Sequence, residues 1–213
     1  MTAHSSAVRP VERPAVTLPP AEGFDWNRLR AHWVAGDPFQ PDDAVEQYYA
    51  VKAAIAAWLQ PNSILEIGVR AGYSALAFWQ GSEFSEYVGL DANQGNWGGI
   101  RGYVDHARSL VPNSHIYVFD TQKLTDIRGL MPPGPVLAHV DGDHGWAGAK
   151  HDIELCLNGG AAYVVVDDYW YVPAVRAAAD DVVEERRLAC AYVPDIMRGN
   201  LIIANQGVTL PNV

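Results

Sequence analysis

The sequence predicts an α/β fold: a mostly parallel seven-stranded sheet with helices on both faces and an antiparallel C-terminal hairpin at one edge. Three observations carry this expectation. Short apolar runs alternate with stretches whose apolar residues recur at helical spacing, which is how parallel strands and their crossover helices read in sequence. The last two runs, at about 188–194 and 200–205, have no helix between them, so they should pair as a hairpin. The first run, Ile64-Leu65-Glu66-Ile67, passes through Gly68 and Gly72 directly into a helix. Such strand–turn–helix units open ligand sites at the carboxyl ends of these sheets.

Taken in order, residues 1–22 hold Pro10, Pro14, Pro19 and Pro20 among small polar residues and read as a flexible arm. Residues 23–60 read as a helical cap or lid. Phe24, Trp26, Leu29, Trp33 and Phe39 lie in a segment broken by Pro38 and Pro41, fitted either to pack on the main domain or to cover a pocket. A helix starts at the Pro41-Asp42-Asp43 cap, carries Val45, Tyr48, Val51, Ile55, Trp58 and Leu59 at helical spacing, and stops at Pro61-Asn62. Residues 61–213 form the main domain. Its first five strands are expected at 63–67, 87–90, 115–119, 136–141 and 162–167, and its helices at about 72–80, 99–110, 122–130, 146–157 and 173–185.

Composition narrows the function classes. The chain has 213 residues, 49% hydrophobic and 19% charged, which suits one α/β domain with a sizeable core. With 25 acids against 15 bases the formal net charge is −10, and phosphate binding would want the opposite balance, so no nucleic-acid partner is expected. Cys156 and Cys190 sit in apolar runs and read as buried free thiols. No apolar stretch is long enough to span a bilayer and no signal-peptide core is present; a cytoplasmic location without a membrane partner is expected.

The glycine turn admits two readings. The dinucleotide fingerprint G-x-G-x-x-G would need glycine where Glu66 and Ala71 stand, and a carboxylate at Glu66 would disfavour a pyrophosphate, so a nicotinamide dehydrogenase is disfavoured. The pattern Glu66-x-Gly68-x-x-x-Gly72 instead resembles motif I of class I S-adenosylmethionine-dependent methyltransferases. That resemblance implies a Rossmann-like class I methyltransferase fold in which Glu66, Gly68, Gly72 and Ser74 surround the methionine part of the cofactor.

The strand ends extend the series. The second strand ends on Asp91, 25 residues after Glu66, near the spacing at which an acid takes a ribose hydroxyl pair. In the loop that follows, Trp97 is a candidate to stack on adenine or simply to pack. The third strand ends on Asp120-Thr121, where methyltransferases place a group that meets adenine. The fourth ends in Asp141-Gly142-Asp143-His144 and the fifth in Asp167-Asp168-Tyr169. Neighbouring strands lie about 5 Å apart, so adjacent tips bearing Asp141, Asp167 and Asp168 would repel unless something positive lay between them. Mg²⁺ is the simplest such group; helix capping by the same carboxylates is the alternative.

Val140-Asp141-Gly142-Asp143-His144-Gly145-Trp146-Ala147-Gly148 with Asp152, and Val165-Val166-Asp167-Asp168-Tyr169 followed by Pro173, resemble the D-G-D-H and V-x-D-D-Y segments of a bacterial small-molecule group, the macrocin O-methyltransferase-like and cephalosporin-hydroxylase-like proteins. The likeness runs from about residue 45 to 205. It implies metal ligation by Asp141, Asp167 and Asp168, with Asp141 also near the cofactor, and Asp143 or His144 as general base. Trp146, Tyr169 and Trp170, with Tyr171, are expected around the acceptor. The activity implied is transfer of a methyl group to the hydroxyl of a small molecule, in secondary metabolism such as antibiotic biosynthesis. N- or C-methylation, hydroxylase-like chemistry or a non-catalytic cofactor-binding role are the alternatives. An aromatic N-terminal arm would also suit a homodimer or a higher homo-oligomer.

Overall fold

The computed structural model describes residue 13 and residues 15–93 and 102–212. Seven strands, β1 (Ser63–Ile67), β2 (Glu86–Asp91), β3 (Ser114–Val118), β4 (Val136–Val140), β5 (Tyr163–Val166), β6 (Cys190–Val193) and β7 (Asn200–Ala204), lie in the order β3-β2-β1-β4-β5-β7-β6. The first five run parallel. β7 returns antiparallel to β5, and β6 pairs antiparallel with β7, as the helix-free C-terminal pair predicts. The chain moves outward from β1 through β2 to β3, then crosses back to lay β4 on the other side of β1. The carboxyl ends of β1 and β4 therefore flank the point where strand order reverses, the place where open α/β sheets form a crevice.

Among the described residues six α-helices surround the sheet: α1 (Trp26–Ala31), α2 (Asp43–Leu59), α3 (Tyr73–Gly81), α4 (Tyr103–Arg108), α5 (Trp146–Gly159) and α6 (Pro173–Arg186). α2 starts where Asp42 accepts hydrogen bonds from the Ala44 and Val45 amides, and ends with Gln60 in the left-handed region at φ 46°. Among the described residues no helix is long and apolar enough to cross a membrane.

Strand alternation sorts the core into two layers. Ile64, Tyr87, Leu137 and Val165 share a cluster with α2, α3 and α4, whereas Leu65, Val88, Leu90, Ala138, Val140, Val164 and Val166 face α5 and α6. Glu66 belongs to the first layer. It lies in register with Gly89 on one side and His139 on the other.

Three expectations need comment. The helix expected at 122–130 is instead two 3₁₀ turns, Thr121–Lys123 and Arg128–Leu130. Asp120 and Asp126 each accept from the amide two residues on, and these local bonds close short turns in place of a continuing helix. The described part of the N-terminal arm lies along an edge strand: the Val16 amide donates to the Tyr192 carbonyl at 2.8 Å, and Arg13 pairs with Asp180 at 2.7 Å. The aromatic loop with Trp97, and the start of the helix expected at 99–110, fall outside the described residues.

Candidate active site

A cavity of about 750 Å³ opens at the carboxyl ends of β1, β2, β3, β4 and β5. Its floor is the turn after β1. Gly68 has φ +89°, and a Cβ there would stand 2.0 Å from the Asp141 carbonyl oxygen, so the β1 and β4 tips meet at a distance only glycine allows. Arg70 follows in the left-handed region, and its amide donates to Asp91 Oδ2 at 2.7 Å. Asp91 Oδ1 accepts from the Asn93 amide at 2.5 Å. The acid that ends β2 thus holds the glycine turn against the strand beside it.

A lid-like segment from the N-terminal region forms one wall. Trp33 stacks on Tyr73 with ring centroids 4.2 Å apart, and its indole donates to the Phe39 carbonyl. The buried Asp37 between them accepts from Arg70 at 2.5 Å and from the Tyr103 hydroxyl at 2.8 Å. Trp33 and Phe39 both face the cavity. Sequence reasoning named these aromatics without placing them, because the pairing partners Arg70 and Tyr103 are distant in the chain.

Of the expected site residues, Gly68, Ser74, Asp91, Asp120, Thr121, Asp141, Asp143, His144 and Asp168 line this cavity. Six others do not, and each has a physical reason. Glu66 points into the α2–α3 layer, where it accepts from the Tyr87 hydroxyl and lies 2.7 Å from His139 Nδ1; as residue 66 it follows the parity of Ile64. Gly72 caps α3, and a Cβ there would meet Ala107, so it serves helix packing. Asp167 shares the parity of Val165 and turns under the sheet toward α2. Trp146 is largely exposed and donates to Asp181 on α6 at 2.9 Å. Tyr169 is buried with its hydroxyl on Asp180. Trp170 is exposed beneath the Arg176 guanidinium, 4.2 Å from its ring centre. Tyr171, beyond it, does reach the cavity.

The far end of the cavity carries the charged groups. His144 Nε2 lies 3.3 Å from Asp141 Oδ1 and 3.4 Å from Asp168 Oδ2. The hydrogen bond to Asp141 raises the imidazole above its ordinary value, against an opposing effect of burial. Asp168, in the left-handed region at φ 55°, is only 1% exposed. Burial, then the charges of Asp141 and Asp167, push its carboxyl up to about 6. Arg198 answers this with one nitrogen on both oxygens, at 3.0 and 3.1 Å. Asp143 accepts from the Gly145 amide at 2.6 Å and fills the space over Gly148, bracing the turn that leads into α5.

Beneath this cluster Lys52 and Asp167, both fully buried, pair at 2.8 Å. Asp167 also accepts from the Tyr48 hydroxyl, and Lys52 donates to Asn200 at 3.0 Å. Burial alone would raise the Asp167 carboxyl, and no single partner offsets it; the charge of Lys52, with His139 and the hydrogen bonds from Lys52 and Tyr48, together outweigh burial and hold the group ionised. One signal for this pair was present in the sequence. Lys52 falls on the buried stripe of α2, among Tyr48, Tyr49, Ile55 and Ala56, and a lysine there needs a buried partner.

The expected metal set of Asp141, Asp167 and Asp168 is therefore not assembled. Asp141, His144 and Asp168 each offer a donor atom, all within 4.8 Å of one another. This set does not fit Mg²⁺, which wants near-octahedral oxygen ligands: one donor is an imidazole, and both Asp168 oxygens already face Arg198.

Solved structures share this architecture. S-adenosylhomocysteine-bound methyltransferase PaMTH1 of Podospora anserina aligns with TM-score 0.59 at 18% identity, over 85% of this chain and 86% of that one. An O-methyltransferase from Bacillus cereus in complex with S-adenosylhomocysteine aligns with TM-score 0.56 at 16% identity, over 84% and 89%. TomG of Streptomyces achromogenes, an O-methyltransferase involved in tomaymycin synthesis and solved with S-adenosylmethionine, aligns with TM-score 0.54 at 14% identity, over 85% and 87%. At these identities the likeness establishes the class I methyltransferase fold. No protein-family model matches the chain, and no curated protein matches it.

Proposed function

We propose that this protein is an S-adenosylmethionine-dependent O-methyltransferase acting on a small hydroxylated molecule, with a role in small-molecule biosynthesis. One observation carries the reading: the glycine turn with Asp91 at one end and the His144–Asp141 pair at the other open into the same cavity, in a fold whose neighbours hold this cofactor or its product.

The backbone of Gly68–Ala71 and Ser74 receives the amino-acid part of the cofactor. Asp91 receives the ribose: each of its oxygens accepts one amide, and a carboxylate oxygen has a second lone pair for a hydroxyl. Asp120 and Thr121 line the same cavity and would meet the adenine. Methyl transfer is an in-line displacement, so the chain must position the acceptor and take its proton. With Nε2–H of His144 turned to Asp141 and Asp168, Nδ1 is the nitrogen left to accept. Bound S-adenosylmethionine would supply an electrophilic methyl group and a neutral thioether as leaving group, and Nδ1 of His144 would take the acceptor O–H proton.

The test is calorimetric titration with S-adenosylhomocysteine, followed by incubation with S-adenosylmethionine and a panel of phenols, catechols and sugars. Saturable binding and a product one CH₂ heavier support the reading. Failure of the product analogue to bind ends it.

A further inference from the structure

We infer that Arg198 supplies the positive charge at the reacting end of the cavity, in the position a divalent cation would take, and that the chain needs no metal there. This deepens the methyltransferase reading and rests on it. Asp141 and Asp168 form an acidic pair facing the cavity, and something positive must offset them. The guanidinium of Arg198 already does so at Asp168: it lines the cavity, contacts both Asp168 oxygens, and lies over the rings of Phe39 and Tyr48 at 5.3 and 5.7 Å, while His144 meets Asp141.

The arginine is built in. Its amide donates to Asp195 Oδ1 at 2.5 Å, and its carbonyl accepts from the Trp170 and Tyr171 amides at 2.9 and 3.2 Å. Asp195 in turn accepts from Asn200, which accepts from Lys52, the partner of Asp167. One connected set of bonds thus sets a resident cation beside each of the two neighbouring acids at the β5 tip. A preorganised guanidinium stabilises oxygen charge that develops as an acceptor hydroxyl loses its proton, and it exchanges no proton itself. A dication brought to the same carboxylates would meet Arg198 as a like charge and would compete for oxygens already bonded.

The experiment follows Mn²⁺ by electron paramagnetic resonance as it is titrated into the full chain with S-adenosylhomocysteine present. The wild type should leave Mn²⁺ free. Arg198→Gln and Arg198→Ala should each bind one Mn²⁺ at least about tenfold more tightly than the wild type, and adding Asp168→Asn should abolish that site. Retained binding of S-adenosylhomocysteine reports that each variant is folded. With an acceptor that turns over, EDTA should leave kcat unchanged, whereas Arg198→Gln should lower it by about 100-fold with KM for the cofactor unchanged. Equal Mn²⁺ binding by wild type and variants, no gain in either folded variant, or loss of turnover in EDTA restored by Mg²⁺ overturns the inference. Loss of S-adenosylhomocysteine binding by the wild type overturns the cofactor reading instead, while the Mn²⁺ titration still tests the cation.

Discussion

The two ends of the cavity are built by different physics. At the β1–β2 end the backbone does most of the work: Gly68 permits close approach, Arg70 and Asn93 present amides, and one carboxylate, Asp91, ties them together. The β4–β5 end is built from side-chain charge. Asp141, His144, Asp167 and Asp168 come from strand tips, while their counter-charges Lys52 and Arg198 come from α2 and from the loop before β7. The first end is local in sequence and shows as a motif. The second balances only after the chain has folded, so the acids are visible in sequence while which cation meets which acid is not.

The strongest way to break this comparison is to remove a counter-charge. Lys52→Met should cost about 3–5 kcal/mol, because a buried carboxylate is left without its partner; the midpoint of urea unfolding reads it. A loss below about 1 kcal/mol would mean that Asp167 finds another cation and the pairing is incidental. The backbone end offers Gly68→Ala, which adds a Cβ at φ +89° against the Asp141 carbonyl. A destabilisation of about 2–4 kcal/mol and weaker S-adenosylhomocysteine binding are expected from melting and calorimetry. Unchanged melting would show that the β1 and β4 tips can part freely.

Asp91→Asn separates the roles more finely. It removes the charge and one of two acceptor oxygens, so binding of S-adenosylhomocysteine should weaken by about 1.5–2 kcal/mol, roughly 10- to 30-fold, with the fold retained. His144 gives a pH reading of the charged end. The neighbouring carboxylates favour the imidazolium, so its NMR titration should lie above 6.5, with the proton lost as pH rises past that value. Asp141→Asn should move the midpoint down. An unmoved midpoint would show that Asp141 does not set it. The smallest effect belongs to Trp146→Phe: cofactor affinity should stay within about twofold and stability within about 0.5 kcal/mol, since the indole faces Asp181 outside the cavity.

Strand positions, the helix-free C-terminal pair and the glycine turn were legible because each is written in local periodicity or in a residue type with a local conformational role. The place of Glu66 and of Asp167 was half legible. Alternation along β1 and β5 already assigns them to the α2–α3 layer, with Ile64 and Val165. The turn at 168 could not be read the same way, because a left-handed residue ends the alternation and throws Asp168 into the cavity. The aromatic residues Trp146, Tyr169 and Trp170 misled for a related reason. Nearness in sequence to a strand tip does not say which way a side chain leaves the turn.

By itself the sequence determined the succession of strands along the chain, the glycine turn after the first of them, and the acids at the strand ends, since these follow from patterns a few residues long. Only the tertiary structure decided how those acids are neutralised. Charge balance is a property of distance in space, and Lys52 lies 115 positions from Asp167 while touching it.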